Sequence, residues 1–156
     1  MPAGSDGLPP LPHTFRPFGV RIAIGVLGTL LVVVTAVTWL AFPAEIRDQF
    51  TALQRLTLLG LGLMFYAGGY ALARSRVVAR KDGVTVVNGY KSRRYEWNEI
   101  LAVTLRQGSP WATLDLSDGT TVSAMGIQGS DGARAVTQAR QLRRLVDVLT
   151  TPPPGQ

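Results

Sequence analysis

From Ile22 to Phe42 the chain carries no charged residue. Twenty-one helical residues rising about 1.5 Å each span roughly the 30 Å hydrocarbon core of a bilayer, so the run predicts a membrane-crossing helix. Pro43 ends it, and Trp39 and Phe42 would lie at the far interface, where amphipathic rings are favoured. A second uncharged run, Leu56 to Ala73, is eighteen residues long and sits at the short end of the spanning range. Gly60, Gly62, Gly68 and Gly69 lower its helix propensity but would let a neighbouring helix approach closely. Gly69 with Ala73, and Gly25 with Thr29 on the first span, have the small-xxx-small spacing of such contacts. Residues 43 to 55 carry Glu45, Arg47, Asp48 and Arg55, a short polar connection whose charges cancel. A secretory signal is the competing explanation of the first run, but its apolar core would be about 7 to 15 residues and would precede a small-x-small cleavage site. The pattern therefore predicts a two-helix transmembrane hairpin, 22–42 and 56–73.

Ahead of the hairpin, residues 1 to 20 contain Pro2, Pro9, Pro10, Pro12 and Pro17 with scattered glycines, which predicts a flexible leader that buries nothing. After Ala73 the pattern changes to short alternating runs. Arg76 to Arg80 and Val84 to Asn88 flank Asp82-Gly83, a strong hairpin signal, and Asn88-Gly89 marks the next turn before a third strand, Ser92 to Trp97. Ile100 to Arg106 reads as a fourth strand, with Ile100, Ala102 and Thr104 on one face and Leu101, Val103 and Leu105 on the other. Trp111 to Ser117 alternates cleanly, Ala112, Leu114 and Leu116 pointing one way. Asp118-Gly119 closes a turn into Thr120 to Met125, and Gly126 ends the run. Ser130 or Asp131 can cap a final helix whose apolar stripe is Val136, Ala139, Leu142, Leu145, Val146 and Leu149, stopped by Pro152, Pro153 and Pro154. Six antiparallel strands and one amphipathic helix predict an α+β domain over 74–149, followed by a disordered tail, 150–156.

Charge sets the orientation. Arg16, Arg21, Arg74, Arg76, Arg80 and Lys81 flank the outer ends of the hairpin, against Arg47 and Arg55 between the spans, so both termini are expected on the cytoplasmic side of the cell membrane. Sixteen Lys plus Arg against ten Asp plus Glu favour anionic partners, and the spans turn that preference towards lipid head groups rather than nucleic acid. The chain has no cysteine, which removes disulfides, thiolate nucleophiles and cysteine-ligated zinc, and its single histidine, His13, falls in the leader.

The segments Asp82-Gly83-Val84-Thr85-Val86-Val87-Asn88, Trp97-x-Glu99-Ile100, Trp111-x-x-Leu114-Asp115-Leu116-Ser117-Asp118-Gly119-Thr120 and Gly126-Ile127-Gln128 resemble the actinobacterial PH-domain family named for low molecular weight protein antigen 6. The resemblance covers nearly everything from Thr14 to Leu149. It implies a pleckstrin-homology-like barrel or sandwich of two near-orthogonal sheets with a C-terminal helix, behind two hydrophobic spans, and it carries no established ligand or reaction. A full barrel of this kind has seven strands, so either the Trp97 to Arg106 region is divided differently or the barrel is one strand short.

By analogy with eukaryotic PH domains, Arg80 and Lys81 before the first hairpin turn are candidate lipid contacts, with Lys91, Arg93 and Arg94 adding charge. Near an anionic leaflet each cation contributes on the order of 1 kcal/mol, although a solvated basic face explains the same residues. Trp97 and Trp111 suit the core or the barrel rim, and Glu99 suits a cap or an arginine partner. Catalysis finds no pattern: Glu96, Glu99, Asp115 and Asp118 lack metal-ligand spacing, the serines have no histidine partner, and no glycine-rich phosphate loop precedes a helix, so no catalytic, cofactor or metal residues are expected. The expected function is a non-enzymatic, membrane-anchored adaptor that binds another membrane or envelope protein. The alternatives are a sensor of anionic phospholipid head groups and a structural subunit of a larger envelope complex.

Overall fold

The computed structural model describes residues 8–150. The outer part of the expected leader and the proline-rich tail lie outside the described residues. The chain opens with a strand, β1 (His13–Phe15), and passes into a long helix, α1 (Gly19–Ala41). A short helix, α2 (Ala44–Gln49), leads to a second long helix, α3 (Ala52–Arg74). Six strands follow, β2 (Arg76–Arg80), β3 (Gly83–Asn88), β4 (Lys91–Tyr95), β5 (Ile100–Thr104), β6 (Trp111–Leu116) and β7 (Thr121–Gln128), and then α4 (Ala133–Thr150).

Neither long helix contains a buried residue, and both are long and apolar enough to cross a membrane. They lie side by side, with Gly69 of α3 against Ile24 of α1: a Cβ at Gly69 would stand 3.0 Å from the Ile24 side chain. Gly25, by contrast, has open space beside it, so of the two notches expected only the one at Gly69 serves the contact between the helices. At the far end of the hairpin Trp39, Phe42 and Phe50 cluster, and Arg55 lies over the Trp39 ring while donating to the Arg47 carbonyl. Thr51 and Gln54 form a capping box that starts α3 earlier than the uncharged run suggested, which brings Arg55 into its first turn.

The strands form two antiparallel sheets, β1-β2-β3-β4 and β5-β6-β7. The missing seventh strand is β1, and it comes from ahead of the first long helix. His13 pairs with Ala79, Thr14 with Val78 and Phe15 with Val77, and the Phe15 side chain is wholly buried. The expectation of a flexible leader is thus corrected for its second half: Phe15 and Pro17 are buried in the domain. A three-residue strand is too short to show a period of two, and its prolines flank it rather than interrupt the ladder. Neither sequence explanation of the strand count holds, since Trp97–Glu99 is a single 3-10 turn between β4 and β5.

Inward positions of both sheets meet α4 in one core. Val77, Ala79, Val84, Val86, Ile100, Val103, Ala112, Leu114, Leu116, Ala124 and Ile127 pack with Phe15, Tyr95 and Trp97, and α4 adds Ala135, Ala139, Leu142, Leu145 and Val146. The expected stripe is therefore right at four positions and wrong at its ends: Val136 is 48% exposed and Leu149 37%, while Ala135 and Gln138 turn inward. In β5 a bulge between Ile100 and Ala102 places an extra residue on one strand, so Ile100 and Val103 both reach the core and Leu101 is 67% exposed. The simple alternation expected there is corrected for that reason. Gly126 does not end β7. It lets the strand pass the backbone of Arg76 and Val77, where a Cβ would stand 2.6 Å from main-chain atoms. Asn88 ties the two sheets together, donating to the Ser123 carbonyl at 2.5 Å and accepting from the Met125 N–H at 3.1 Å.

Candidate functional site

The five basic candidates are not brought together. β2 leaves the end of α3 and runs outwards, so Arg80, paired with Gly83 at the tip of the β2–β3 hairpin, stands about 13 Å beyond Arg76 at roughly 3.3 Å per residue. Lys81 shares that distal turn. Arg94, opposite Thr85, also lies towards the distal end and is ion-paired with Asp82. Lys91, opposite Asn88, is at the base of the domain, and Arg93 lies between. All five side chains are exposed. The distal turn is held firmly: the Trp97 indole N–H donates to the Arg80 carbonyl at 3.0 Å, and Gly83 adopts a positive φ where a side chain would collide with the Tyr95 carbonyl. Its own backbone N–H, with Arg94 next in effect, holds the Asp82 carboxyl below the ordinary range, so it stays charged and offsets one of the neighbouring cations. Glu99 accepts from the Glu96 N–H at 2.6 Å as a cap, and Trp97 is buried while Trp111 is half-buried at the rim. Among the described residues no group of three His, Asp or Glu is placed to hold a metal ion.

The base of the domain carries a different set of residues. Phe18 precedes α1 and offers no side-chain cap, so the first amides of that helix need an acceptor from elsewhere. Asp131 supplies it: one carboxylate oxygen accepts from the Phe18 N–H and the other from the Gly19 N–H, both at 2.8 Å. A carboxylate at a helix N-terminus is also favoured by the helix dipole. Arg134 lies over the Phe18 ring at 5.0 Å, so two residues next to or within α4 grip the start of α1. Ser130 or Asp131 was expected to cap α4, but both lie in a 3-10 turn before it, and the Asp131 acceptors are spent on α1.

The second grip is on α3. Ser75, almost fully buried, donates to the Ala71 carbonyl at 3.1 Å and accepts from the Gly89 N–H at 2.9 Å. Tyr90, next in the β3–β4 turn, donates its hydroxyl to the Ala67 carbonyl at 2.8 Å, and its ring continues a row formed by Tyr66 and Tyr70. The domain is thus joined to both long helices by side-chain contacts as well as by the chain. Sequence reading named Asp131 as a cap but not the helix it serves, and did not single out Ser75 or Tyr90, because the contacts that join the domain to α1 and α3 link residues well apart in the chain.

Asp131→Ala should remove both acceptors and cost about 0.5–2 kcal/mol, the usual range for a lost helix cap. Amide exchange at Phe18 and Gly19 in bilayer discs should accelerate, with a smaller effect in Asp131→Asn, which keeps one oxygen. Unchanged exchange in the alanine variant would show that the grip does not hold α1.

Residues 74–145 match the family described as Bacterial PH domain. Uncharacterized proteins of Mycobacterium tuberculosis and Mycobacterium bovis are 31% identical over 97 residues, 62% of this chain and 63% of each relative. The match thus spans less than two thirds of those relatives. No solved structure matches the chain. The family match begins at Arg74 and so omits β1, which the two long helices separate from the other strands. Two antiparallel sheets closed by a C-terminal helix are the PH-like sandwich that the sequence resemblance implied, and residues 74–145 are similar to the bacterial PH domain family.

Proposed function

We propose that this chain is a non-enzymatic, multi-pass cell-membrane adaptor whose PH domain is held at a set height and orientation on its own transmembrane hairpin to present a surface to another membrane or envelope protein. The observation that carries the reading is the double grip, Asp131 on α1 and Ser75 with Tyr90 on α3. A tether that only raised local concentration would need no such contacts. The pairing of β1 with β2 supports a hairpin whose two ends emerge on one side, and the surplus of arginine and lysine there supports the cytoplasmic side. Exposed Leu101 on β5, with Val136 and Val148 on α4, leaves apolar surface that the domain itself does not use. The lipid-sensor alternative loses weight because Arg80, Lys81 and Arg94 stand at the end far from the hairpin.

A photo-crosslinking residue placed at Leu101 or Val136 of the full chain in cells should give a discrete adduct with a second protein. The same chain should run larger than its own mass after mild solubilisation. No adduct at either position together with a single-chain native size would remove the adaptor reading, and the structural-subunit alternative with it. An impermeant maleimide added to intact cells should label Gln49→Cys and spare Lys81→Cys, and the reverse pattern would place the domain outside.

A further inference from the structure

We propose that the β3–β4 turn is a membrane-inserted tip, with the Tyr90 ring seated in the bilayer interface and Lys91 at the level of the lipid phosphates. The proposal rests on α1 and α3 being membrane spans and goes beyond it by naming a third segment that enters the lipid. Height decides the matter. A Cβ at Gly89 would lie 3.3 Å from the Ala71 side chain, so the turn is level with Ala71 rather than with Arg74 at the end of the helix. From there Tyr90 points further along α3, and its hydroxyl reaches Ala67, about 10 Å from Arg74 at 1.5 Å per residue.

The first helix gives the same level independently. Ile24 packs on Gly69, which places exposed Arg21 about 4.5 Å beyond that contact, level with Leu72. Arg21, Arg74 and Lys91 therefore form a cationic collar around the hairpin, and the Tyr90 ring lies on its membrane side. Cations at this height meet anionic phosphates, while rings just below them occupy the zone that tyrosine favours in bilayers.

The chemistry of the ring agrees with lipid rather than water. Tyr90 is 62% exposed in the protein alone, yet its hydroxyl is bonded to a helix carbonyl already engaged in the helix ladder. A phenol in water has solvent for a partner, but one pressed into lipid must find its hydrogen bond within the protein. Tyr66 and Tyr70 extend the same belt along α3, with ring centroids 6.4 Å apart, and Tyr90 stands 6.5 Å from Tyr70. The lipid-facing cation is therefore Lys91 and not the Arg80-Lys81 pair, whose hairpin points away.

Because the chain has no cysteine, single-cysteine spin labels can be placed without background. Labels at positions 33, 81, 90 and 91 would be read in bilayer discs of phosphatidylcholine and phosphatidylglycerol, with oxygen as the lipid-soluble relaxant and a nickel chelate as the aqueous one. The expected result is lipid-like accessibility at 33, interface-like accessibility at 90 with a several-fold preference for oxygen over nickel relative to 81, and an intermediate value at 91. Lipid-like accessibility at 33 with position 90 as open to nickel as position 81 would overturn the tip and leave the spans standing. Nickel access at 33 would overturn the spans and the tip together, and protection of 90 from both relaxants would assign its cover to protein and overturn the lipid assignment.

Discussion

Phe15→Ala is expected to destabilise the PH-like domain by about 3–5 kcal/mol, the range for a fully buried phenylalanine, although Phe15 lies ahead of both long helices and every other strand follows them. The side chain is wholly buried, opposite Val77, in the same core as Ile100, Leu114 and Leu142. A domain of this size has a total stability of about 5–15 kcal/mol, so the loss is a large part of it. Thermal unfolding followed by near-ultraviolet circular dichroism should show a clearly lowered midpoint. The same reasoning applies to a fragment of residues 74–150. Without β1 the edge of β2 is unpaired and Val77 and Ala79 lose cover, so the fragment should be loosely packed or insoluble. Joining residues 8–17 to its N-terminus through a flexible linker should restore cooperative unfolding. If Phe15→Ala and the bare fragment both melt like the parent domain, β1 is ornamental and the account of the seventh strand is wrong.

Leu145→Asp should unfold the domain outright at ordinary temperature. Leu145 is 2% exposed on the inward side of α4, where removing the side chain alone would cost about 2–5 kcal/mol. An aspartate adds the expense of desolvating a carboxylate that has no arranged partner there. Loss of α4 would also free the Val103 carbonyl, which Arg143 grips through Nε at 3.1 Å and Nη2 at 2.6 Å, and the Trp97 carbonyl, to which Thr150 donates. Val136→Asp is the control, since Val136 is 48% exposed, and should change stability by no more than about 0.5 kcal/mol. Equal effects from the two substitutions would mean that α4 does not pack on the face described.

Much of this organisation was legible in the residues. The two apolar runs, the turns at Asp82-Gly83, Asn88-Gly89 and Asp118-Gly119, and the alternation of Ala112, Leu114 and Leu116 all appear where expected. Of the candidate cations, however, charge alone could not separate Lys91 from Arg80 and Lys81, because sequence proximity hides that the strand between the two turns carries them to opposite ends of a sheet. Leu101 was equally hidden: one bulged residue shifts the faces of β5, and no local property of Ile100-Leu101-Ala102 announces it.

The sequence by itself determined whatever depends on a residue and its near neighbours: which stretches are long and apolar enough to cross a membrane, where the chain turns, which faces of β6 and α4 are apolar. Tertiary structure alone decided that three residues ahead of the hairpin complete the sheet, that Asp131 serves the start of α1, and that Tyr90 lies along α3. Those choices belong to pairs far apart in the chain, and an unpaired strand edge or an uncapped helix accepts any partner of suitable chemistry until the fold brings one within reach.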